Sequence, residues 1–342
     1  MKQSWKQIVG AFLMGFCMPV LVLQMQSVLL SDRPQDGASA PTQEQMQPIA
    51  ESRPPDSMPQ LPTVDASREI YIPVRLPDGT IQVMELENYV ACVVLAEMPA
   101  DFEIEALKAQ AVVARTYTLK RVTEEDRHPG GTVCTDYRCC QAFTTAEIYL
   151  ASGGSQESVD KIRGAVAQTM GQVLTYDGAL ADATYFSCSG GRTEDALAVW
   201  GSDIPYLQSV DSPGEEWASV FSDSVYFPAW EFAGKLQTQL YGTPESWLGE
   251  VTYTNGGGVA TMVIGGVPYT GTELRKLLGL RSTNFTMEPD ENGITISTLG
   301  NGHRVGMSQY GADAMALAGS TYDLILAYYY RGTTLEIYGG YL

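Results

Sequence analysis

Glu87-Asn-Tyr-Val-Ala-Cys-Val-Val-Leu-Ala-Glu97-Met-Pro-Ala-Asp101, continued by Phe102-Glu-Ile-Glu-Ala-Leu-Lys108-Ala-Gln-Ala-Val-Val-Ala-Arg115-Thr-Tyr-Thr-Leu-Lys-Arg121, reads as two helices meeting at a tight corner. In the first, expected over 87–98, Tyr89, Val90, Val93, Val94 and Glu97 recur at helical spacing. Pro99 ends it, because the residue before a proline is pushed out of the α region. Asp101 is the expected cap of the second helix, over 102–121. Ile104, Leu107, Ala111 and Ala114 form that helix's apolar stripe, and its alanines permit close packing.

Upstream, 70–76 and 81–86 flank Pro77-Asp-Gly-Thr80 and predict a β-hairpin. Downstream, 159–170 predicts a helix, and Val173-Leu-Thr-Tyr176 and Ala183-Thr-Tyr-Phe-Ser187 flank a turn at Asp177-Gly178. A long loop then carries Gly190-Gly191, Trp200 and Tyr206. Residues 217–297 read as a second α+β segment, a possible subdomain, with a helix near 273–278 and a hairpin at Gly256–Gly258. After a loop over 300–311 come a helix ending at Gly319 and a last helix holding Tyr328-Tyr-Tyr330. Hairpins and helices without βαβ alternation predict the α+β class.

The ends and the charge narrow the function. Residues 8–30 are almost wholly apolar, long enough for a helix to cross a hydrocarbon core of roughly 30 Å. Lys2 and Lys6 precede this run and orient the N-terminus to the cytoplasm. A cleaved signal peptide is the competing reading, disfavoured by the length of the run and by the lack of a small-x-small site directly after it. The expected organisation is a cytoplasmic tip and transmembrane anchor over 1–30, a Pro- and Gln-rich disordered tether over 31–68, and an extracytoplasmic catalytic domain over 69–342. A net charge of −19 excludes a nucleic-acid partner, since nothing would neutralise phosphates.

Glu97 is the leading candidate for chemistry. An acid on an apolar helix face is either paired with a cation or held with a raised pKa by desolvation. Lys108 and Arg115 lie two turns apart on the second helix; they either reach Glu97 across the corner or form a solvated basic stripe. His128, one of only two histidines, precedes Cys134, Cys139 and Cys140. His128, Cys134 and Cys140 have the residue types for zinc. The fourth ligand stays unnamed, because Cys139 adjoins Cys140 and its side chain either points elsewhere or replaces it. A disulfide or free thiols are the alternatives. His303 stands in the glycine-bounded loop Gly302-His-Arg-Val-Gly-Met-Ser-Gln-Tyr-Gly311, where close backbone approach is possible. No Gly-x-Ser-x-Gly elbow is present, which disfavours a Ser/His hydrolase.

Glu97-Met-Pro99, the run from Glu105 to Tyr117, Ser189-Gly-Gly191, Val199-Trp-Gly201, Pro205-Tyr-Leu207 and Gly306-Met-Ser-Gln-Tyr-Gly-Ala312 together resemble the stage II sporulation protein D family, which includes amidase-enhancer proteins. The resemblance spans roughly 70–338. It implies a lytic transglycosylase acting during engulfment on peptidoglycan glycan strands stripped of stem peptides, with Glu97 as acid/base and Arg115 as the active-site arginine. It also implies structural Zn²⁺ on His128, Cys134 and Cys140. Substrate binding is then expected from Lys108, Ser189, Tyr206, His303, Gln309 and Tyr310. The implied partners are the stage II sporulation proteins P, an amidase, and M, at the membrane. Arg304 departs from the family's usual Gly-His-Gly-Val-Gly, and Gln208 from its Pro-Tyr-Leu-Lys. The runner-up is a non-catalytic wall-binding module that activates an amidase. A third reading, a zinc hydrolase, requires an open metal position beside a general base.

Overall fold

The computed structural model describes residues 69–124, 128 and 130–339. The expected anchor and tether lie outside the described residues. Among the described residues no helix is long and apolar enough to cross a membrane.

The fold is α+β, built of helices and several small sheets. Strands β1 (Tyr71–Arg75) and β2 (Ile81–Glu85) form the expected hairpin, pairing Tyr71 with Glu85 and Arg75 with Ile81. The Glu85 carboxylate accepts the N–H groups of Glu87 and Asn88 and so caps α1 (Leu86–Glu97). Met98 leaves the helix in an extended conformation (φ −124°, ψ 140°), as a residue before proline must.

Helix α2 (Ile104–Glu124) begins later than its sequence suggests. Asp101 does not cap it; the N–H of Glu103 donates instead to the Asp313 carboxylate at 2.6 Å, from a helix more than two hundred residues downstream. Nor is α2 a striped surface helix. Ala106, Ala109, Ala111, Val112, Val113, Ala114 and Leu119 are all fully buried, so apolar contact surrounds it. It packs against α1 on one side and forms the axis of the larger core.

The chain continues through β3 (Val133–Cys134), parallel to β1, then α3 (Ala146–Ala151) and α4 (Gln156–Gln168), capped by Ser155. Strand β4 (Gln172–Tyr176) turns at Asp177-Gly178 into β5 (Ala179–Leu180), not into 183–187 as expected. Within 183–187, β6 (Tyr185–Phe186) pairs in parallel with a strand near residue 307. The loop expected around Trp200 contains a short helix, α5 (Ala196–Trp200), stopped by Gly201 in the left-handed region.

Residues 222–299 carry β7 (Ser222–Pro228), α6 (Ala229–Leu236), β8 (Leu248–Tyr253), β9 (Val259–Ile264), β10 (Val267–Thr270), α7 (Gly271–Leu278), β11 (Asn284–Pro289) and β12 (Gly293–Leu299). Two three-stranded sheets, β10-β9-β8 and β11-β12-β7, enclose a core of their own around Phe232, Ile264, Leu274, Ile294 and Ile296. The chain then returns to the larger core through β13 (Met307–Ser308), α8 (Gln309–Leu317), α9 (Tyr322–Tyr329) and β14 (Thr334–Ile337), which pairs with β4.

Candidate active site and metal-ligand cluster

Glu97 ends α1 and opens onto a cavity of about 520 Å³. Its Oε1 accepts the N–H of Ala142 at 2.7 Å. Burial pushes its pKa up, while hydrogen bonds from the Ala142 N–H and from the Tyr185 and Gln309 side chains pull the other way. Position adds to the effect of burial, since the partial negative charge at a helix C-terminus opposes a carboxylate.

The Tyr185 hydroxyl donates to Gln141 Oε1 at 3.0 Å, Gln141 Nε2 to Thr118 Oγ1 at 2.8 Å, and Thr118 to the Ala114 carbonyl at 2.8 Å. A hydroxyl has one proton to give. Gln141 Oε1 and the Glu97 carboxylate therefore compete for the single Tyr185 proton, which can turn to Glu97 when that group is ionised. Gln309, expected to bind substrate, is buried outside the cavity lining; its Nε2 lacks an aligned partner among the described residues, so its contact with Glu97 is a loose one. The other acid lining the cavity, Asp182, faces Lys120 at 3.3 Å and Arg121 at 3.6 Å. Among the described residues Glu97 has no cation paired with it.

The two cations expected beside Glu97 lie elsewhere. Arg115 is fully buried and binds Glu87 through both carboxylate oxygens, at 2.9 and 2.5 Å, and donates to the Gln172 carbonyl at 3.1 Å. Glu87 and Glu97 occupy opposite ends of α1, roughly 15 Å apart at 1.5 Å per residue. Arg115 therefore orients the start of α1 and does not touch Glu97. Lys108 pairs with Glu105 at 2.6 Å and lies over the Tyr322 ring, outside the cavity lining.

Of the remaining expected substrate residues, His303 lines the cavity, with its ring against Phe186 and Trp200. Its Nδ1 accepts the Val305 N–H at 3.2 Å, and burial with the nearby Arg275 charge pushes its pKa down to about 4. It presents a neutral ring at pH 7. Ser189 is buried and donates to Glu215 at 3.0 Å. Tyr206 stands behind Asp182, accepting its N–H at 2.8 Å. Tyr310 packs edge-on to Phe102 and Trp217. These three support the cavity from outside its lining, because their motifs are packing motifs. Gln141, Tyr185 and the Ala142 N–H were not singled out in the sequence. The one available signal was that Gln141 and Ala142 directly follow Cys140.

The ligand atoms of His128, Cys134, Cys139 and Cys140 lie within 4.8 Å of one another. The three cysteines of the cluster are unbridged. Cys139 brings the cluster to four possible donors, its sulfur 3.4 Å from His128 Nε2. Adjacent cysteines both turn inward because the N–H groups of Cys139 and Cys140 both donate to the Asp136 carbonyl, at 2.9 Å each. Around a tetrahedral zinc, sulfur donors would stand roughly 3.8 Å apart, so a Cys₃His set of this spread fits the ion.

Arg304, the departure from glycine, keeps a left-handed backbone (φ +66°) and is fully buried. Its guanidinium donates to the carbonyls of Ser189, Arg192 and Gly256, each at 2.7 Å, and pairs with buried Glu194 at 3.2 Å. Gln208 donates to the Ile204 carbonyl and supplies no cation in place of lysine.

Comparison with known proteins agrees with the motifs. A family model described as Stage II sporulation protein matches residues 78–176. Stage II sporulation protein D of Bacillus subtilis is 42% identical over 273 residues, covering 78% of this chain and 79% of that one. The Bacillus amyloliquefaciens protein of the same name is 39% identical, over 80% and 81% of the two chains. An amidase enhancer of Bacillus subtilis is 32% identical over 71% of this chain and 39% of its own length. On these relationships, the chain belongs to the stage II sporulation protein D family.

Proposed function

We propose that this chain is a lytic transglycosylase that cleaves peptidoglycan glycan strands, with Glu97 as the single acid and base. The observation that carries it is one carboxylate, protonated more readily than usual, in a cavity whose other acid is already matched by Lys120 and Arg121. Hydrolytic glycosidases use two carboxylates, one for the leaving group and one for water or the sugar. A transglycosylase dispenses with the second, because the muramic acid 6-hydroxyl is tethered to the carbon it attacks. Protonated Glu97 donates to the glycosidic oxygen as the bond breaks. The resulting carboxylate, steadied by the Ala142 N–H and by Tyr185, accepts the 6-hydroxyl proton as the anhydro ring closes.

In this reading His128, Cys134, Cys139 and Cys140 hold zinc, which when bound ties the loop together and supplies no reacting group. Four protein donors complete a tetrahedron and leave no open position, which argues against a zinc hydrolase. Likeness to an amidase enhancer favours a second reading, a wall-binding module that stimulates an amidase. Location outside the cytoplasmic membrane on the anchor, and partnership with stage II sporulation proteins P and M, belong to the same proposal.

Glu97→Gln decides between the two. As an enzyme variant it should release anhydro-muramic ends at least about 100-fold more slowly than the parent, by mass spectrometry of digested glycan. Its melting temperature at pH 7 should not fall, because the amide needs no desolvated charge. Near-parental release would remove Glu97 from the chemistry.

A further inference from the structure

The cavity has a rim that the proton transfer does not use. Tyr137 is 69% exposed, Trp200 is 44% exposed, and both line the opening. Trp200 packs one side on His303, and the rest of each ring is open to solvent at the cleft. What it offers is a flat apolar face, the partner suited to the C–H face of a sugar ring. Arg138 lines the same opening with its side chain 74% exposed, its guanidinium over the Tyr137 ring.

Asp136 holds that guanidinium through Nε (3.1 Å) and one Nη2 nitrogen (3.0 Å), fixing its plane and leaving Nη1 uncommitted to that pair. An exposed pair of this kind is worth little, about 0–1 kcal/mol, so a second carboxylate can share the guanidinium at small cost. Arg121, the other cation of the lining, is only 11% exposed, stacks on Tyr117 and faces Asp182. It is placed to support the cavity wall, and Arg138 to meet a ligand.

Charge sharpens the point. A chain of net charge −19 repels anionic polymers, so an exposed guanidinium at the cavity mouth gives an anionic ligand a local counter-charge there. We propose that Tyr137, Arg138 and Trp200 form a subsite for a carboxylate-bearing sugar, with Arg138 binding the lactyl carboxylate of muramic acid. This rests on the glycan-cleaving function proposed above. That carboxyl is free only when no peptide is amide-linked to it. Arg138 is then the side chain that reads the absence of stem peptides, a substrate property the family resemblance already implies.

The test uses the full chain carrying Glu97→Gln, which should hold strands without cutting them. Two probes are compared: glycan strands with free lactyl carboxylates, and the same strands with those groups converted to neutral methylamides. Binding to the free strands should be about tenfold tighter, as for a charge-assisted hydrogen bond at a solvated rim. Adding Arg138→Gln should abolish the preference, and Arg138→Lys should retain part of it. Adding Tyr137→Ala with Trp200→Ala should weaken both probes alike. Equal binding of the two probes, or a preference that survives Arg138→Gln, overturns the carboxylate assignment and leaves glycan cleavage standing. Failure to bind either probe, with no anhydro ends from the parent chain, overturns both.

Discussion

Asp313 shows how one side chain can link this fold to pH. Its carboxylate is 4% exposed and accepts the Glu103 N–H at the start of α2. Burial, with the nearby charges of Glu103 and Asp101, nonetheless pushes its pKa up to about 6 from 3.8. A carboxyl whose folded pKa exceeds its unfolded one binds more protons when folded. Its contribution to stability is complete below the unfolded value and is lost as pH rises through about 6. Stability against urea should therefore decline between about pH 4 and pH 6, by an amount on the order of 2 kcal/mol from this group. Asp313→Asn, which keeps an acceptor for Glu103, should flatten that decline; an unchanged slope in the variant would assign it to other groups. His303 is the opposite case, a histidine held neutral between aromatic rings, and its presence in a loop motif did not reveal that.

Among the elements, the cysteine loop has the most direct hold on the site. Cys139 and Cys140 line the cavity beside Glu97, and the next two residues supply the Gln141 amide and the Ala142 N–H. Fixing the thiols thus fixes a donor on the carboxylate only two residues further along the chain. Metal binding to such a donor set adds directly to folding stability. Removing metal from purified protein with a chelator should lower the melting temperature and speed hydrogen exchange at the Ala142 N–H. Identical exchange before and after removal would uncouple the cluster from the site. Helix α2 makes a related point, since Arg115 sits on the same two-helix corner as Glu97 yet serves the other end of α1. Sequence spacing places a residue on a helix face, but the crossing of two helices decides which end of the partner it meets.

Across the whole molecule, Arg304 joins the two cores. Its guanidinium reaches Ser189 and Arg192 in the larger one and Gly256 in the β8–β9 turn of the smaller, while Glu194 balances its charge. Removing it leaves a buried carboxylate unpaired, which typically costs about 3–5 kcal/mol. Arg304→Gly should cost roughly 1–2 kcal/mol less than Arg304→Ala, because glycine accepts the left-handed backbone that alanine resists. Equal melting temperatures for the two variants would dismiss backbone strain at this position. The sequence by itself determined the first hairpin, the corner at Pro99, the placing of Glu97 on an apolar helix face, the residue types of the metal cluster and the family. Each of these rests on local chemistry: a turn's backbone preferences, a proline's steric clash, helical periodicity, and motifs a few residues long. Only the tertiary structure decided that Cys139 joins the donor cluster, that Arg115 pairs with Glu87, that Asp313 rather than Asp101 meets the start of α2, and that Gln141, Tyr185 and Ala142 surround the carboxylate. Those pairings join residues far apart in the chain, and burial and hydrogen-bond satisfaction in the packed core, which no short window of sequence contains, select among the partners that local rules leave open.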